Sequence, residues 1–137
     1  MTMVLSAPLQ TALFARLSSA PELVTLNGRI YDDAPHQSAD ATEAYVTIGD
    51  ESVSAWDTAT DAGAIHEVVV RVYSPVRGFL TAKQIAGAIC EALCAADLAL
   101  SRGRVVTQEF IGAATRREEQ GALRRIDLTF RFVIEDV

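Results

Sequence analysis

Leu5, Leu9, Leu13 and Leu17 fall at every fourth position and lay one apolar stripe along a helix. Ser6 is placed to cap that helix. Pro8 suits its first turn, where a missing N–H removes no hydrogen bond. Ser18-Ser19-Ala20-Pro21 stops it, Glu22 to Leu26 can add one more turn, and Asn27-Gly28 signals a turn before a short strand, Arg29-Ile30-Tyr31. Residues 32–44 are polar and irregular, which predicts an exposed loop. Tyr45-Val46-Thr47-Ile48 opens a strand that runs to Trp56 through a bulge at Gly49, and 57–64 read as a flexible connection.

Strict alternation then takes over. From Ile65 to Tyr73, Val68, Val70 and Val72 share one strand face, while Glu67, Val69, Arg71 and Tyr73 share the other. Ala82, Ile85, Ala86, Ile89, Leu93 and Ala96 return at helical spacing and predict a second helix over 81–96, followed by an exit loop at 97–103. A strand over 105–116 and a hairpin turn at 118–121 lead into the cleanest pattern of the chain. There Ile126, Leu128, Phe130, Phe132 and Ile134 alternate with Arg125, Asp127, Thr129 and Arg131, as in an antiparallel strand with one buried and one polar face. The order is α, short β, β, β, α, β, β. It predicts an α+β fold: a mostly antiparallel sheet of four to five strands with two main helices on one face.

The chain's 137 residues suit one domain, 1–137, able to hold a core without metal or disulfide. No apolar run approaches the ~20 residues of a membrane span, and the absence of a basic residue before Arg16 argues against a secretory leader. A net charge of −6 argues against a protein that wraps nucleic acid. That charge is uneven. Residues 1–67 carry ten acids against Arg16 and Arg29, whereas residues 68–137 carry eight acids against ten bases. Of the twelve bases all but Lys83 are arginine, the side chain suited to bidentate pairing at interfaces, although compositional bias toward Ala and Arg accounts for the same count.

Candidate chemistry is sparse. Cys90 and Cys94 lie four apart on the second helix, a spacing that zinc could use only with two further ligands, and His36 and His66 lie in other segments. The two thiols read as small, buried apolar residues that do not bridge. His66 precedes Glu67, but strand neighbours point to opposite faces, so the two form no dyad and His66 reads as a satisfied or surface histidine. Asp32-Asp33 and Asp50-Glu51 lack the ligand spacing of a calcium loop. Phosphate-binding, dinucleotide and hydrolase motifs are absent, so no cofactor and no catalytic residue is expected. Trp56, at the border of strand and loop, suits a core lid or an interface anchor.

Taken in order, several segments resemble the phage tail-completion, or tail-terminator, family, including the forms carried by gene transfer agents. The resemblance rests on Asn27-Gly28-Arg29-Ile30-Tyr31-Asp32 with Pro35, Tyr45 to Ser52, Val68 to Ser74, Gly78 with Ala82-Lys83 and Ile85, and Ile126 to Phe132. It covers nearly the whole chain. The resemblance implies a structural protein without catalytic residues, forming a ring, usually hexameric, that caps the tail tube and joins it to a head connector. The implied partners are further copies of the chain, the tail tube protein, a head connector or stopper protein, and double-stranded DNA passing through the lumen without specific binding. The implied location is the cytoplasm during assembly and then the head–tail junction of the particle. Uncompensated acids along such a lumen would repel phosphates. Trp56, Arg77, Arg125, Asp127 and Arg131 are the candidate interface residues. Two other functions stay open at this point: a head-completion adaptor or stopper ring, and a small hydrolase or ligand-binding domain using His66.

Overall fold

A computed structural model describes residues 3–32, 43–55, 63–118 and 121–136. In order, the elements are α1 (Ser6–Ser19), a 3-10 turn (Pro21–Leu26), β1 (Ile30–Tyr31), β2 (Tyr45–Ala55), β3 (Gly63–Ser74), α2 (Leu80–Cys94), β4 (Arg104–Glu118) and β5 (Leu123–Glu135). The strands form one sheet in the order β1-β2-β3-β5-β4. All pairings are antiparallel except β1 with β2, which is parallel and aligns Ile30 with Val46. The fold is therefore α+β with a mostly antiparallel sheet, as the alternation predicts.

Both helices cover one sheet face. The four-residue leucine stripe of α1 is buried throughout. Ala82, Ala86, Ile89, Ala92 and Leu93 are buried on α2, and Ile126, Leu128, Phe130, Phe132 and Ile134 meet them from β5. The expected irregularity at Gly49 is present: the β2–β3 register shifts between Ile48 and Glu51. A Cβ at Gly49 would stand 2.8 Å from Arg71 Nη1, so the bulge also leaves room for that guanidinium.

Three local expectations need correction. Ser6 does not cap α1; it is the first helical residue, and its hydroxyl donates instead to Glu51. β3 begins at Gly63, inside the span read as a connection. Helix α2 stops near Cys94 although Ala95 and Ala96 continue its apolar, helix-favouring pattern. The stop is tertiary. Arg16 of α1 donates from Nη1 to the carbonyls of Ala92 (2.8 Å) and Ala96 (3.1 Å), and from Nη2 to that of Asp97 (3.1 Å). Gln108 of β4 donates to the carbonyls of Leu93 and Ala96, both at 2.6 Å, and accepts from Leu98 N–H. Two side chains from opposite sides thus satisfy terminal carbonyls that helix geometry leaves open. No helix among the described residues is long and apolar enough to cross a membrane.

Candidate functional site

The sheet face opposite the helices carries the charged residues that alternate with the core. β3–β5 pairing sets Glu67 directly across from Arg131 and Arg71 directly across from Asp127. Arg131 donates to Glu67 Oε2 from Nε (3.0 Å) and Nη2 (2.8 Å), and its Nη1 lies 3.6 Å from Glu109 on β4. Asp127 Oδ1 lies 3.3 Å from Arg71 Nε and 2.8 Å from Arg125 Nε, and Oδ2 accepts a hydrogen bond from Arg125 Nη2 at 3.2 Å. Arg71 reaches on to Asp50 of β2 at 3.0 Å, and Arg125 to Glu118 of β4. One chain of alternating charge, Asp50–Arg71–Asp127–Arg125–Glu118, crosses four strands beside the triad Glu67–Arg131–Glu109. Burial by itself would lower the Arg71 pKa; the hydrogen bond to Asp50 and the charges of Asp127 and Asp50 raise it above its ordinary value. Burial and the nearby Glu118 carboxylate raise the Tyr73 phenol on the same face.

The structure therefore brings together three of the candidate interface residues, Arg125, Asp127 and Arg131, on one half-exposed face. Each already holds a partner within the chain, and every arginine of the network touches two carboxylates. Arg77 stands apart, exposed in the turn between β3 and α2. Trp56 and His36 lie outside the described residues.

His66 is placed differently from its surface reading. It shares strand parity with Val68, Val70 and Val72, so it points into the core and is fully buried. The β2 bulge turns Glu51 toward it, with Nδ1 and Oε2 3.0 Å apart. The parity signal was present in the sequence; the partner was not, because it depends on the bulge. Burial would raise the Glu51 pKa, but the hydrogen bonds with His66 and Ser6 and the His66 charge hold it below the ordinary glutamate value. His66 Nε2 meets no hydrogen-bond partner among the described residues. The space beside Glu51 is only about 10 Å³, bounded by Leu9, Leu13, Gly49 and Val68, and His66 does not line it. That is at best one water's worth of room. The Ser6–Glu51–His66 cluster ties α1 to two strands and offers no opening for a substrate.

The cysteines also depart from expectation. Cys90 is half-buried, with burial and the neighbouring Cys94 raising its thiol pKa, but Cys94 is exposed. No group of three or more His, Cys, Asp or Glu among the described residues is placed to hold a metal ion.

Comparison with known proteins supplies what the geometry alone does not. Residues 11–135 match the family described as tail completion protein gp17. A chain from the virion of a native gene transfer agent particle is 40% identical and superposes with a TM-score of 0.86, covering 98% of this chain and 99% of that one. The gp17 protein of bacteriophage SPP1 is 20% identical and shares the fold, with a TM-score of 0.60 over 95% of this chain and 91% of that one. No curated protein sequence matches the chain.

Proposed function

Because the chain belongs to the tail completion protein gp17 family, we propose that it completes the tail of a phage-like particle as a ring, of six copies, seated between tail tube and head connector. One observation carries this reading: the near end-to-end match, at 40% identity, to a chain of a gene transfer agent virion. The role is mechanical. A ring needs one surface that binds the next copy and others that meet the tail tube below and the connector above. A half-exposed, ion-paired sheet face suits the second task. Arg125, Asp127 and Arg131 are held rigid by their neighbours, and a pre-ordered polar surface loses little side-chain entropy on docking. Arg77, exposed at the β3–α2 turn apart from that face, is a separate point of contact with a neighbouring protein. No bond is made or broken, DNA crosses the lumen unbound, and the chain passes from the cytoplasm into the particle as assembly ends.

Imaging of purified particles with this chain located tests the reading. Six copies at the head-proximal end of the tail are expected. Density at the portal would replace it with a head-completion adaptor, and normal tailed particles from cells lacking the gene would overturn it.

A further inference from the structure

The sheet ends in two unlike edges. On one side β4 pairs only with β5, and most of its residues are exposed. Phe110 (46% exposed), Ile111 (43% exposed) and Ala113 to Thr115 form an uncharged run there, interrupted by a bulge between Phe110 and Gly112. A long edge strand with exposed apolar residues invites pairing or aggregation when nothing covers it. Arg116 and Arg117 follow, both exposed. Neither holds an acidic partner among the described residues; Arg117 rests 5.4 Å above the Phe79 ring.

The opposite edge is concave and acidic. A cleft of about 490 Å³ opens between α1 and the β1–β2 edge, lined by Thr11, Phe14, Ile30, Tyr31, Asp32 and Ile48. Phe14 is half exposed within it. Asp32 lines it, and Glu43, paired with Arg29 at 2.9 Å, stands just before β2 on this side. The two edges thus differ in shape and in sign of charge, which is what a head-to-tail contact between identical chains requires.

We infer that these edges join successive copies: the β4 edge of one chain, centred on Ala113 and flanked by Phe110, seats in the α1–β1 cleft of the next. This rests on the ring reading above and names the surfaces that close it. Sheet register supports the fit. Ala113 lies level with Leu128, Val70 and Ile48, the height of the cleft, while Phe110, level with Phe130, Val68 and Glu51, stands three residues further along β2. Arg116 lies level with Arg125, Tyr73 and Tyr45, close to Glu43. Rotation about a ring axis preserves height along that axis. With strands running along the axis, the apolar edge therefore meets the cleft and the arginine pair meets the acidic rim in the same step.

Paired cysteines test the contact in assembled particles. In a chain with Cys90→Ala and Cys94→Ser, Thr11→Cys together with Ala113→Cys should give, on oxidation, a ladder of linked chains ending at one closed species. Neither single cysteine should do so. Phe14→Cys with Phe110→Cys serves as a second pair. A ladder that needs both cysteines supports the inference. Particles that contain the chain but yield no ladder from either pair overturn the edge contact and leave the tail role standing. Dimers from Ala113→Cys alone mean like edges meet, which overturns it too. Absence of the unsubstituted chain from particles overturns both readings.

Discussion

The imidazole of His66 sits 3.0 Å from the Glu51 carboxylate, fully buried, at the point where β2 bulges toward α1. Ser6 donates to the other carboxylate oxygen. A single acid thus links the start of α1 to β3, and its charge state is part of the fold.

That arrangement sets an acid dependence. The folded Glu51 pKa is below its ordinary 4.5. Its contribution is therefore in place above the unfolded value and is lost as pH falls through the folded one. The thermal midpoint of the native chain should drop more steeply below pH 4.5 than that of Glu51→Gln, which keeps an acceptor for Ser6 but does not titrate. Parallel acid limbs for the two proteins would refute the link.

The end of α2 yields a second expectation. Arg16→Ala removes three donors and Gln108→Ala two, from carbonyls at the same helix terminus. Each substitution should cost about 1 to 2 kcal/mol. Ala96 O is shared, so the double variant should depart from additivity by at least about 0.5 kcal/mol. Urea denaturation of the four proteins measures this directly; strict additivity would mean the two side chains act independently.

Gly103 offers a third. It holds φ +86°, and a Cβ there would stand 2.9 Å from Leu5 Cδ2 and 3.0 Å from the Glu135 carbonyl oxygen. Gly103→Ala combines left-handed strain with a clash against the backbone of β5. It should destabilise by more than about 1 kcal/mol. An unchanged denaturation midpoint would contradict the close approach of this turn to β5.

Much of this architecture was legible because its signals are local. Ile126 to Ile134 alternate without a break, and the leucines of α1 recur without a break, so face and period follow from the residues themselves. What escaped depends on partners distant in sequence. The parallel pairing of Ile30 with Val46 gives no local sign. Nor does the end of α2, because its stop signals are Arg16 and Gln108 rather than a glycine. The parity of His66 with Val68 was visible, yet its burial made sense only once the bulge delivered Glu51. On the charged face, Glu67 and Arg131 were recognisable as polar-face residues. Their pairing needed the β3–β5 register, which periodicity does not encode.

The charged face supplies the last test, because it separates holding the fold from meeting a partner. Arg131→Glu would place a third carboxylate beside Glu67 and Glu109, and Arg125→Glu would do the same beside Glu118 and Asp127. Partly exposed ion pairs contribute about 0.2 to 1 kcal/mol each, so either reversal should lower the melting temperature of the isolated chain by only a few degrees. Loss of tail joining beyond that small effect would point to contact with a neighbouring protein. The swap Glu67→Arg with Arg131→Glu sharpens the comparison. Combined with Glu109→Gln, which removes the carboxylate directly across from position 131, it restores the cross-strand pair, and with it stability, but inverts the charges presented outward. If this face docks on a partner, the swapped chain should melt like the native one and still fail to complete tails. Full recovery of particle assembly by the swap would show that Glu67 and Arg131 serve the sheet alone, and would remove Arg131 from the interface.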